Sequence, residues 1–146
     1  VWLLNGRQIC ITGGEPLLQR EEVLEILKKF RLHGYTVEIE TNGTLDFRDL
    51  QPYASICMDV KCPSSGERSD LSLLPFITPR DCVKFVVADD SDLLYARAVM
   101  TQCQIRGEIF ISPVEGSDYR AIADYIVREN LPVRLQVQLH KILGVK

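Results

Sequence analysis

The chain has 146 residues, 46% of them hydrophobic and 25% charged, which is enough for one domain with a real core and no need of staples. A formal net charge of −3, from 17 basic and 20 acidic side chains, argues against nucleic acid or an anionic membrane surface as a partner held by bulk attraction. The apolar runs are strand-sized, so no membrane span is expected. Val1 opens the chain without a basic leader or cleavage site, and five cysteines, odd in number and scattered, read as reduced thiols of a cytoplasmic protein.

Strand and helix signals alternate along the chain. Residues 8–12 form a short apolar run ended by Gly13-Gly14, which predicts a buried strand. Residues 20–33 predict a helix, with Glu21, Glu22 and Glu25 early, Lys28, Lys29 and Arg31 late, and Gly34 as its stop. Strands follow at 35–40 and 55–59, then a loop over 62–72 rich in Pro, Ser and Gly. Residues 82–87 predict a strand, and Asp90 or Ser91 caps a helix carrying Leu93, Ala96, Met100 and Cys103 on one face. A strand at 108–111 ends at Ser112-Pro113. Ser117 caps a helix with Tyr119, Ile122 and Ile126 inward, and residues 133–138 form a last strand. Six strands separated mostly by helices predict a parallel α/β sheet in a single domain, residues 1–146.

In such sheets ligands gather at the carboxyl ends of the strands. Those ends carry Thr12-Gly13-Gly14-Glu15, Glu40-Thr41-Asn42-Gly43, Asp59-Val60-Lys61, Ser112-Pro113 and Gln138-Leu139-His140-Lys141. Two glycines after a strand leave backbone groups open to a ligand, and Glu15 suits a cationic amine. Cys10, Cys57 and Cys82 lie in apolar runs and read as buried structural thiols. No cysteine pair has C-x-x-C or C-x-x-x-C spacing, so no cluster or zinc site assembles from local motifs. Glu38 reads as a solvated strand residue and Lys84 as a residue without an assigned role. Alternation does not decide whether Arg134 and Gln136 face the interior.

The string Thr12-Gly13-Gly14-Glu15-Pro16 resembles the Gly-Gly-Glu-Pro motif of radical S-adenosylmethionine enzymes. Its extension to Gln19, followed in order by Glu40-Thr41-Asn42-Gly43-Thr44, Asp59 to Gly66, Lys84-Phe85-Val86 and Gln138 to Lys141, resembles the 7-carboxy-7-deazaguanine synthase family over residues 9–144. The resemblance implies an incomplete (β/α) barrel of radical S-adenosylmethionine type. It implies that Gly13, Gly14 and Glu15 bind the methionyl end of S-adenosylmethionine. Asp59, Val60, Lys61, Ser112, Pro113, Val114 and Glu115 would line the rest of that cofactor. Thr12, Asn42 and His140 would face the substrate, 6-carboxy-5,6,7,8-tetrahydropterin, with Glu40 the residue closest to the chemistry, because a carboxylate suits the adjacent N–H donors of an aminopterin.

The family also implies a [4Fe–4S] cluster held by three closely grouped cysteines, a Mg²⁺ ion bound beside them, and a reductant such as flavodoxin or ferredoxin. Cleavage of the cofactor then yields a 5′-deoxyadenosyl radical that removes a substrate hydrogen. The first strand, the cluster loop and most of the first helix have no counterpart here. They are expected upstream, cut away or disordered without cluster, so the 146-residue polypeptide is expected to be inactive alone. A sheet lacking its first strand leaves an open edge, which predicts a homodimer or a covering segment. Two alternatives stand beside this reading: an activating enzyme that forms a glycyl radical on a partner protein, and a non-catalytic degenerate barrel serving as a binding module.

Overall fold

The computed structural model describes residues 6–139 and 143–144. Six strands lie side by side in chain order, each parallel to the next: β1 (Gln8–Ile11), β2 (Thr36–Thr41), β3 (Ser55–Val60), β4 (Cys82–Val87), β5 (Glu108–Pro113) and β6 (Arg134–Leu135). Three crossovers carry a helix: α1 (Arg20–Leu32), α2 (Asp90–Gln102) and α3 (Tyr119–Arg128). The sheet is open, with no pairing of β1 to β6 among the described residues.

Strand alternation separates two faces. Val37, Ile39, Ile56, Met58, Val60, Val83, Phe85, Val87 and Ile111 are buried on one of them. Against them pack Val23 and Leu27 of α1, Leu93, Ala96 and Val99 of α2, and Ile122 and Tyr125 of α3. The β2–β3 and β3–β4 connections have no α-helix. Phe47 and Leu50 cover the sheet in the first, and Leu74 and Ile77 in the second, all fully buried. The other face carries Glu38, Glu40, Ser55, Cys57, Asp59, Cys82 and Lys84, in register across β2, β3 and β4. Parallel sheets are normally covered on both sides and apolar throughout. A polar inner face on a parallel sheet therefore marks a site rather than a second core.

Several local expectations are corrected. Asp89, not Asp90 or Ser91, caps α2, its carboxylate accepting from Asp92 N at 3.0 Å. Asp118, not Ser117, caps α3, and the Ser117 hydroxyl donates instead to the Val114 carbonyl at 2.6 Å. Both runs hold several cap-type residues, and the end of the preceding strand decides which one stands at the helix start. The loop over 62–72 is interrupted by 3₁₀ turns at Pro63–Ser65 and Leu71–Phe76. The last strand keeps two residues of an expected six. Its register would bring residue 137 opposite Pro113, which has no N–H to offer a ladder. Cys10 is exposed rather than buried, because β1 is an edge strand whose inner face has no cover among the described residues.

Candidate active site at the carboxyl rim of the sheet

The turn after β1 is held by Glu15. Its carboxylate accepts from Leu17 N at 3.0 Å, from Thr41 Oγ1 at 3.0 Å and from Asn42 N at 2.7 Å. The residue expected to bind an amine thus also latches the β1 turn onto the end of β2. A carboxylate accepts about four hydrogen bonds, so capacity for a ligand ammonium remains. Gly13, at φ +102°, has open space where a side chain would stand, as does Gly14. Their backbone groups are therefore accessible, which fits the methionyl end of the expected cofactor. Gly43, at φ +68°, is required for a different reason: a Cβ there would meet Met58 Cε at 2.5 Å.

Below this turn a chain of charges crosses four strand ends. Thr12 Oγ1 donates to Glu40 Oε2 at 3.1 Å, and Lys84 Nζ lies 3.4 Å from Glu40 Oε1 and 3.0 Å from Asp59 Oδ1. Lys61 Nζ stands 4.0 Å from the other Asp59 oxygen and 3.9 Å from Glu67. Asp59 Oδ1 is buried and is served by the Lys84 ammonium at 3.0 Å rather than by a backbone donor. Burial pushes the Asp59 carboxyl above the usual range, and Lys84 and Lys61 pull it part of the way back. Burial works against the Lys84 charge, but Asp59, Cys57 and Glu40 outweigh it and hold the ammonium above its ordinary value. Glu40, Lys84 and Ser112 line a cavity of about 390 Å³ with residues 136–139. A larger cavity of about 550 Å³ lies between the loop after β3 and Tyr95 of α2, sharing only Lys61 with the expected residues. We place the site at the smaller one because Glu40 and Lys84 of this network line it together with Ser112.

The structure brings together Thr12, Gly13, Gly14, Glu15, Glu40 and Asn42 along the first two strand ends, with Asp59 and Lys61 beside them. The Asn42 carboxamide oxygen accepts from Thr44 N and Oγ1. Ser69, which gave no sequence signal, ties the rim together by donating to the carbonyls of Asn42 and Asp59 and accepting from Lys61 N. Val60 points its side chain into the core, so only its backbone can reach a ligand, and Pro113 is likewise buried. Val114 N bonds the Val87 carbonyl, fixing the turn that leads to the exposed Glu115. His140 lies outside the described residues. Lys84, without an assigned role in the sequence, joins this network, and Glu38 is exposed as expected, on the same face as Glu40.

The donor chemistry decides what this chain can ligate. Cys10 Sγ and one oxygen each of Glu38 and Glu40 lie within 4.8 Å of one another. A thiol is a poor partner for Mg²⁺, so this group does not fit that ion. No three cysteines gather among the described residues. The buried Cys57 thiol is raised by its hydrogen bond with Cys82 and by burial. Cys62 is pushed up to about 12 by burial, with Asp92 and Asp89 adding to it. Cluster ligands are thiolates, so the residues present do not fit a [4Fe–4S] cluster.

A parallel open sheet whose first strand ends in a Gly-Gly-Glu-Pro turn, beside a polar rim, is the architecture of the radical S-adenosylmethionine superfamily. Its likeness to QueE from Escherichia coli has a TM-score of 0.71 at 23% identity, over 92% of this chain and 57% of that one. A domain of pyruvate-formate lyase-activating enzyme from Bacteroides vulgatus gives 0.67 at 13%, over 88% and 97%. At these identities the likeness is one of fold. Sequence carries the assignment further. The chain is 55% identical over 143 residues to the 7-carboxy-7-deazaguanine synthase of Methanospirillum hungatei JF-1, covering 98% of this chain and 61% of that protein. It is 32% identical to that of Koribacter versatilis over 97% of this chain and 70% of the relative, and 37% identical to that of Thermoplasma acidophilum over 92% and 66%. No family model matches. The chain belongs to the 7-carboxy-7-deazaguanine synthase family, and spans about three-fifths of the Methanospirillum relative's length.

Proposed function

We propose that this chain forms the greater part of a radical S-adenosylmethionine lyase that converts 6-carboxy-5,6,7,8-tetrahydropterin to 7-carboxy-7-deazaguanine, a precursor of queuosine and archaeosine. The observation that carries the reading is the 55% identity, over 98% of this chain, to a 7-carboxy-7-deazaguanine synthase. Gly13 and Gly14 offer open backbone to the methionyl group of S-adenosylmethionine, Glu15 orients them, and Asp59 and Lys61 line the approach. Ser112, Pro113, Val114 and Glu115 close the far side. Glu40 faces the substrate with Thr12, Asn42 and His140. When bound, the cofactor supplies hydrogen-abstracting radical chemistry once a reductant such as flavodoxin or ferredoxin delivers an electron. This chain's own part is to bind, orient and keep water out.

The cluster ligands and the Mg²⁺ ligand are supplied from outside these 146 residues, and the polypeptide alone is inactive. The active form is a cytoplasmic homodimer. No described helix is long and apolar enough to cross a membrane.

The test uses full-length protein reconstituted anaerobically with iron and sulfide, then given S-adenosylmethionine, Mg²⁺, reductant and 6-carboxytetrahydropterin. Mass spectrometry should detect 7-carboxy-7-deazaguanine, and Glu15→Ala should abolish it by releasing Leu17, Thr41 and Asn42 from their common acceptor. Cofactor cleavage without that product would retain the superfamily chemistry and overturn the substrate. Neither product would favour a binding module.

A further inference from the structure

Lys84 touches both halves of the rim network. Its strand position pairs with Asp59 across β3 and β4, and its ammonium continues to Glu40 on β2. It is mostly buried, yet its tip lines the 390 Å³ cavity beside Glu40 and Ser112. An ammonium has three donors and no acceptor, so it can serve two carboxylates at once and fix the distance between them. Thr12 holds the other Glu40 oxygen, which leaves that carboxylate little freedom to turn.

We propose that Lys84 is a positioning residue that couples the cofactor-lining Asp59 to the substrate-facing Glu40, and thereby sets the affinity of the site for its pterin. The inference rests on the reading that Glu40 faces the substrate. The alternative is a lysine that merely neutralises buried charge. Such a lysine would affect stability without acting through Glu40. The groups facing Lys84 are Glu40 from β2 and Cys57 and Asp59 from β3, while Lys61 approaches Asp59 from its far side. With Lys84 removed, Lys61 alone, 4.0 Å away, opposes the burial that raises the Asp59 carboxyl.

The experiment is a double-mutant cycle on full-length, cluster-free protein, read by fluorescence titration with 6-carboxypterin, an oxidised and stable analogue of the substrate. Circular dichroism first selects variants that fold. Lys84→Met and Glu40→Gln should each weaken binding by about tenfold or more, and the double variant should be no weaker than the worse single one. Lys84→Arg, which keeps the charge, should recover most of the loss. Losses that multiply in the double variant would mean that Lys84 acts independently of Glu40, and would overturn the proposal. So would unchanged affinity in a folded Lys84→Met. If wild type fails to bind 6-carboxypterin, the substrate reading falls with the affinity role that depends on it. The Asp59–Lys84 coupling is then read from carboxyl carbon NMR. Asp59 titration that moves upward in Lys84→Met supports the coupling, and unchanged titration overturns it.

Discussion

Two carboxylates stand at opposite ends of neighbouring strands, and the chain treats them differently. Asp81, just before β4, is 3% exposed and accepts from Ile56 N at 2.8 Å, Thr78 N at 2.8 Å, Thr78 Oγ1 at 2.6 Å and Gln51 Nε2 at 2.9 Å. Asp59, at the other end of β3, has its buried oxygen served by the Lys84 ammonium and faces Lys61 at the other. The first arrangement is complete and closes the end of the sheet where the strands begin. The second rests on side-chain ammonium groups, so either partner left alone costs stability. Lys84, which serves its buried oxygen, lines the cavity of about 390 Å³, so a ligand there would meet this pair and not Asp81. Architecture and the proposed site thus occupy opposite ends of the same sheet.

The difference can be broken from either side. Asp81→Ala should have the largest effect, since it strands a buried strand N–H and the Thr78 and Gln51 donors together. We expect a loss of about 3 kcal/mol or more, a fall of roughly 10 °C in melting temperature for a domain of this size. Asp59→Asn takes the nearer carboxylate from the mostly buried Lys84 ammonium and leaves it Glu40 at 3.4 Å, so stability at pH 7 should fall by about 2 kcal/mol, less than for Asp81→Ala, while S-adenosylmethionine binding weakens.

The pH dependence of that pair follows from linkage. The folded Asp59 carboxyl titrates above its unfolded value, so between the two the folded state holds a proton that the unfolded chain has released. Stability therefore falls as pH rises through that window, starting near the ordinary carboxylate value of about 4. Urea midpoints should show this fall in wild type, with Asp59→Asn lacking that component.

The smallest effect belongs to Asp46, held down to about 2 by the hydrogen bonds from Arg48. Its contribution has the opposite sign: it is present above about 4 and lost as pH drops through about 2. The pair is solvent-exposed, so Asp46→Asn should leave the melting temperature at pH 7 unchanged within error.

The alternating elements were legible because the strands are short apolar runs bounded by turn residues and α1 carries its charges in dipole order. The rim was legible because glycine and acidic residues collect after strands. What sequence could not supply was pairing across strands. Lys84 looked like any strand lysine until register set it beside Asp59, and Asp81, which gave no sequence signal, ties three segments together. Asp92 is a similar case: it reads as helix-start polarity but accepts from Ala88 N and from Ser64 N and Oγ, pinning the Pro63–Ser65 turn to α2. Cys10 misled because an apolar run implies burial only when something covers both faces.

The most direct test of the account is thermal unfolding of full-length protein and Asp59→Asn, each with and without S-adenosylmethionine. At a hundredfold excess over its dissociation constant the cofactor should stabilise wild type by about 2.7 kcal/mol. Without cofactor Asp59→Asn should melt below wild type but above Asp81→Ala, and it should gain far less from the cofactor. If Asp59→Asn unfolds as readily as Asp81→Ala, or gains the full cofactor stabilisation, the Asp59 carboxylate is not part of the binding site and the account is contradicted.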